Sequence, residues 1–365
     1  MRILFVSHYC CVRTVKEGLA LLSLGHDVIF VQQMVGNLAF LPILPSLRFY
    51  EELEQLGRII KAAKVDLVHV HNGPDDLVLI AKENTDAPVI YDAHDLVSVF
   101  KPENAEAALI EAKAIEVCDG MVVPSRGYLN YVQNHYLFDK PIEVICSWCN
   151  EWMLELVKNR PKLSRINGIA FEGGVANFDK NGRIVNEWET FRDYRKIVSD
   201  LNDLGIPMHI FTPDPKNAPY YHRAGAEVVS GLLFRDMLWK LTRYDWGFCG
   251  TPHPHQQWDW AMPNKFFEYI CAGLPVIVMN AAECADFVRE MNVGIVVKDA
   301  HEIRERYDEH EDLKKNVLEL RETLLIENHI GELDKLYKRV LEKATDACYS
   351  TDPDGGLRIG LAGRS

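Results

Sequence analysis

Short apolar runs recur along the chain, separated by longer segments of helical period. In the first 150 residues the runs at 3–6, 28–31, 67–70, 89–91, 121–123 and 143–145 are strand-length and rich in β-branched residues, so they read as strands. Between them, 15–24, 50–63, 76–82, 106–117 and 126–134 space their apolar residues for one face of a helix. A polar stretch at 158–165, holding Pro161, then interrupts the pattern. The alternation restarts with strands at 168–171, 208–211, 227–229, 246–249, 276–278 and 295–297, and helices at 188–204, 235–242, 265–272 and 284–291. Strands that are apolar throughout and alternate with helices predict parallel sheets covered on both faces. The chain therefore reads as α/β, with two doubly wound, Rossmann-like domains at 1–150 and 166–330. From 300 to 347 it is charged and helical, and the Gly- and Asp-rich tail 349–365 reads as disordered.

Composition narrows the classes. At 365 residues and 48% hydrophobic, the chain is long enough for two separate cores. A net charge of −13 argues against a general nucleic-acid binder and gives no attraction to anionic lipid. No apolar run reaches the roughly 20 residues of a membrane span, and 1–7 is too short for the apolar region of a signal peptide, so a cytoplasmic location is expected. Nine scattered cysteines form no disulfide framework, and reduced thiols are expected. No G-x-G-x-x-G follows the first strand, which counts against an NAD-dependent oxidoreductase.

The richest stretch is 262–278. Pro263 suits the first helical position, Gly273 suits a left-handed stop and Pro275 forbids continuation, which predicts a helix of about ten residues. Phe266, Phe267, Ile270 and Cys271 would face a core, with Lys265 and Glu268 near the amino end. That end carries free N–H groups and a partial positive charge suited to phosphate. The pattern from Asn264 to Ile277, N-K-x-x-E-Y-x-x-x-G-x-P-V-I, resembles the donor-site signature of retaining nucleotide-sugar glycosyltransferases of family 4, which have the two-domain GT-B fold. The resemblance implies two domains facing a cleft, with the last helix, 331–348, crossing back to the first. It places Glu268 on the nucleotide ribose and the helix start at Asn264 and Lys265 on the diphosphate.

Loops after strands are where a parallel sheet binds ligands. Gly173 and Gly174 follow the first strand of the second domain and let backbone N–H groups approach an anion; the resemblance makes this a diphosphate contact. His94, in Tyr91-Asp92-Ala93-His94-Asp95, resembles the family's H-D element, whose histidine bonds the donor sugar. The cluster 69–76 is a candidate for the acceptor side, with Asp75 or Asp76 capping the next helix.

The chain also departs from the family pattern. The first of the family's paired glutamates falls at Trp260, beside Asp259, and no Gly-Arg pair with a downstream Lys follows Gly174. Lys265, then Arg183, Arg192 or Arg195, are the candidates to neutralise the diphosphate, with no metal and no cofactor beyond the nucleotide sugar required. The loop 8–13 lacks the paired glycines often seen after the first strand, so the acceptor stays open: a glycan, a lipid-linked sugar or a small molecule. Two side readings accompany this. Cys146-x-x-Cys149 with His253 and His255 has ligand types for zinc, and the apolar loop 38–49 suits either a buried position or peripheral contact with a lipid acceptor or membrane. The expected function is sugar transfer; the alternatives are a sugar-nucleotide epimerase or a non-catalytic nucleotide-sugar or glycan-binding partner.

Overall fold

The computed structural model describes residues 1–33, 43–71 and 73–349. Residues 38–42 of the apolar loop and 350–365 of the tail therefore lie outside the described residues. Two wholly parallel sheets organise the chain, the doubly wound α/β pair that the alternation predicts. The first has seven strands in the order β3-β2-β1-β4-β5-β6-β7: β1 Arg2–Ser7, β2 Asp27–Gln33, β3 Leu47–Tyr50, β4 Leu67–His71, β5 Val89–Asp92, β6 Gly120–Val123 and β7 Ile142–Val144. The second has six, in the order β10-β9-β8-β11-β12-β13: β8 Ile169–Glu172, β9 Met208–Phe211, β10 Glu227–Val229, β11 Trp246–Gly250, β12 Val276–Met279 and β13 Gly294–Val296. Central strands such as β4, β5, β11 and β12 are buried along their whole length, because helices cover both faces of each sheet.

Two local differences from the sequence reading have clear causes. The helix expected from 50 begins at Leu53, because Leu47–Tyr50 pairs with Phe30–Gln33 as an edge strand, where aromatic side chains fit the pleat. Tyr50 is buried there and its hydroxyl donates to the Ser7 carbonyl. The helix expected over 188–204 is broken into a 3-10 turn, Glu187–Arg192, and a helix, Arg195–Asp203. Asp193 stands at the break and accepts from the Arg195 backbone N–H.

The connection between domains is packed. Met153 and Leu154 of the helix Glu151–Asn159 sit in the core of the second domain with Phe266 and Ile270. The C-terminal helix Gly331–Tyr349 packs on the first sheet, with Leu333, Leu336, Tyr337 and Val340 against Ile3, Phe5, Ile90 and Val122. Among the described residues no helix is long and apolar enough to cross a membrane. The carboxyl ends of β1, β5 and β8 turn toward one cleft, whose walls belong to both domains.

Candidate active site

On the second domain the cleft is built around the helix Asn264–Cys271. It is eight residues long, with Pro263 capping it rather than opening its first turn. Gly273 ends it with φ +81°, and the Leu274 N–H closes back on the Tyr269 carbonyl. The turn Gly173–Gly174 lies opposite. Gly173 has φ +130°, and a Cβ there would stand 2.5 Å from the Lys265 ammonium nitrogen, so only glycine leaves that cation its place. Lys265 Nζ lies 4.2 Å from the centroid of the Phe171 ring and 5.6 Å from that of Trp258. Burial pulls its pKa down, against the pull of Glu172. Arg192 comes in from the 3-10 turn, its guanidinium 5.3 Å from the Phe191 ring and 5.6 Å from that of Phe100 in the other domain. Gly173, Gly174, Arg192, Asn264 and Lys265 thus share one wall of a cavity of about 350 Å³. Of the other arginine candidates, Arg195 is held outside that wall by Asp193 and the Gly182 carbonyl, and Arg183 is not part of it either.

Glu268 is not in that wall. It is 0% exposed and ion-paired at 3.1 Å with Lys16, itself 0% exposed, from the helix Val12–Ser23 of the first domain. Lys16 also donates to Asn264 Oδ1 at 3.1 Å and to the Ser147 carbonyl at 3.0 Å, so one buried ammonium ties both domains to the helix start. Glu172, at the end of β8, does line the cavity and lies beside the Glu268 carboxyl. Its burial first, and then the Glu268 charge, push its pKa well above the usual carboxylate range. The protonated form of Glu172 is therefore favoured beside the Glu268–Lys16 pair. Trp260, where the family's first glutamate falls, packs on Tyr131 at 5.2 Å, and Asp259 does not reach the cavity.

The first domain brings His94 and Cys11 to the facing wall. Cys11 Sγ is 3.8 Å from His94 Nδ1 and 3.4 Å from Thr14 Oγ1. His94 Nε2 is 3.0 Å from His71 Nδ1 and 3.6 Å from Asp92 Oδ2. Burial opposes the charged form of His94, but Asp92 and then Cys11 outweigh it, and the pKa is pushed up to about 10. Burial likewise opposes the Cys11 thiolate, yet the His94 charge and hydrogen bond bring its pKa down to about 7. The result is a thiolate–imidazolium pair at the cleft. Alkylation of Cys11 by iodoacetamide should therefore titrate with a midpoint near 7, well apart from Cys10, which burial pushes up to about 12. A Cys11 midpoint at the ordinary thiol value of about 8.5, read by mass spectrometry, would remove the pair.

Behind His94 lies a closed network. Arg13 pairs with Asp92 at 3.1 Å and with Glu17 at 2.8 Å, and donates to the Ile145 carbonyl at 2.7 Å. Among the described residues, Glu17, His69, His71 and Asp92 are the side chains gathered at metal-ligand spacing, and the Arg13 guanidinium already pairs with both carboxyl groups. Cys146, Cys149, His253 and His255 are not gathered; His255 instead packs on Phe191. Sequence reasoning assigns no role to Glu172, Cys11 or Lys16. Glu172 carries one legible signal, an acid closing an apolar strand directly before Gly173.

Residues 17–150 match the model of Glycosyltransferase Family 4, and residues 191–326 that of the Glucosyltransferase 3-like, C-terminal domain. A search of curated proteins returns no match. Similar solved structures include a glycosyltransferase from Rickettsia africae, 15% identical with TM-score 0.61, covering 96% of this chain and 99% of that one. Sucrose-phosphate synthase from Thermosynechococcus elongatus is 13% identical with TM-score 0.62, covering 94% and 100%. Anabaena HepE in complex with UDP-glucose is 11% identical with TM-score 0.62, covering 95% and 100%. These likenesses establish the GT-B frame, and each domain matches a glycosyltransferase model, the first that of family 4.

Proposed function

We propose that the cleft binds a nucleoside-diphosphate sugar and transfers its sugar with retention, without a metal ion. The observation that carries this reading is the convergence of Lys265, Arg192 and the Gly173–Gly174 turn on one wall facing His94. Two cations, a glycine turn with no side chain in the way and a helix start form a preorganised anion site, suited to charge that grows on a departing diphosphate. The binding of UDP-glucose by HepE supports a nucleotide-sugar donor.

The nucleotide lies on the second domain and the transferred sugar reaches toward His94. An acceptor oxygen bonds to C1 as the bond from C1 to the diphosphate oxygen breaks. The bonding pair leaves with the diphosphate, whose departing oxygen takes the acceptor proton on the same face, so configuration is retained. Both ring nitrogens of His94 already have partners, Cys11 and His71, and the longer contact, to Cys11, is the one a sugar oxygen would displace. A ribose contact from Glu268 requires its pair with Lys16 to part; with the pair closed, Glu268 acts as a positioning residue for the helix start.

The test is a panel of nucleoside-diphosphate sugars, followed for binding and for nucleotide release with and without glycan acceptors. A donor consumed only by active-site-intact protein supports transfer. A donor that is bound but never consumed turns the reading to a binding partner, and acceptor-free epimerisation turns it to an epimerase. Because the charge is balanced by side chains, EDTA-treated enzyme should keep its rate. A rate abolished by EDTA and restored by a divalent ion overturns the metal-independent part.

A further inference from the structure

A second cavity, of about 430 Å³, opens in the first domain and shares Tyr9, Cys11, His94 and Asp95 with the donor cavity. Its size falls within the range of small-molecule sites. Resting on the donor reading above, we propose that this cavity takes the acceptor as an uncharged, polyhydroxylated glycoside and discriminates against anionic acceptors.

Charge is the first ground. Asp75, Asp76 and Asp95 line the cavity against one ammonium, Lys101, whose Nζ sits 4.2 Å from the Trp188 ring centroid and 5.0 Å from that of Phe100. The one other cation in the wall, His94, is already paired with Cys11 and Asp92. A phosphate or carboxylate on the acceptor would meet three acids against the single Lys101 ammonium.

Hydrogen-bond complement is the second. His71 Nδ1 faces two partners inside the network, His94 Nε2 at 3.0 Å and Asp92 Oδ2 at 3.3 Å. His71 is 1% exposed and lines the cavity floor, and its Nε2 has no partner among the described residues. Asp76 Oδ1, on the same cavity, also lacks one. The floor thus offers an unanswered imidazole nitrogen beside an unanswered acid oxygen. Sugar hydroxyls, each a donor and an acceptor, answer both, whereas an anionic group accepts only and would leave Asp76 Oδ1 unanswered. Val97, Phe100 and Ile110 supply an apolar side for a pyranose ring. The shared wall at Cys11 and His94 is where an acceptor hydroxyl meets the donor sugar.

Methyl glucoside and methyl glucuronide, equal in shape and different in charge, are the probes. Their binding to the full chain is measured by saturation-transfer NMR with and without UDP, and UDP binding is measured separately by calorimetry. At about 0.01 M salt the glucoside should bind at least about tenfold tighter, with the ratio shrinking toward one near 1 M. Asp76→Asn removes one acid at a helix start without removing a bonded partner, and should narrow the ratio while the fold stays intact by circular dichroism. Equal or tighter binding of the glucuronide overturns the proposal, as does binding of neither glycoside in either state. Failure of UDP to bind strikes the donor reading alone, because the glycoside ratio is still read on the nucleotide-free protein.

Discussion

Lys265→Met is expected to lower kcat for sugar transfer by about 100- to 1000-fold, roughly 3–4 kcal/mol of transition-state stabilisation, while the protein remains folded. The size follows from position. Lys265 is one of two cations on the diphosphate wall, and it stands close enough to Gly173 that even a Cβ there would collide with it. A fixed cation in a partly desolvated cleft stabilises growing negative charge far more than a solvated one. Methionine keeps the contacts over Phe171 and Trp258 and removes only the charge. Because burial already disfavours the charged lysine, the change should cost little stability. The measurement is single-turnover kinetics beside UDP affinity: a loss mainly in kcat places the cation on the departing diphosphate, a loss only in affinity places it on the ground-state nucleotide. Unchanged turnover in folded protein removes Lys265 from the reaction.

The alternation of the two domains and the helix start at Asn264 were legible because each depends on neighbours in sequence: strand length, helical period, a proline and a glycine at fixed offsets. Side-chain commitments were not, because they depend on residues far apart. Arg183, Arg192 and Arg195 look alike in sequence, and Asp193 decides between two of them by holding Arg195 while Arg192 turns inward. Cys11 and His94 are 83 residues apart, and neither type alone announces an ion pair. Glu268 is the plainest case. The motif places it on a helix start facing a ligand, but its partner lies 252 residues away, on a helix of the other domain. The edge strand Leu47–Tyr50 was hidden for a smaller reason, since four residues carry too little period to tell strand from loop.

That distant pair yields the largest stability effect. Lys16→Met should destabilise the protein by about 3–5 kcal/mol, the usual cost of removing one partner from a fully buried ion pair. Lys16 holds Glu268, Asn264 and the Ser147 carbonyl at once, so its loss leaves three acceptors short of a donor. Glu172 beside it supplies no countercharge, so the Glu268 carboxylate is stranded in the interior unless water enters. Glu268→Leu in the Lys16→Met background removes the stranded charge as well, and should recover most of the lost stability, since apolar replacement of both partners is often neutral. Denaturant midpoints of wild type, the two single variants and the double variant make a cycle in which the coupling itself is the result. Additive losses would mean that the two side chains are merely near one another. A strong coupling that costs nucleotide affinity in both single variants, and is not restored with stability in the double, would show that this buried pair also sets the donor helix against the cleft.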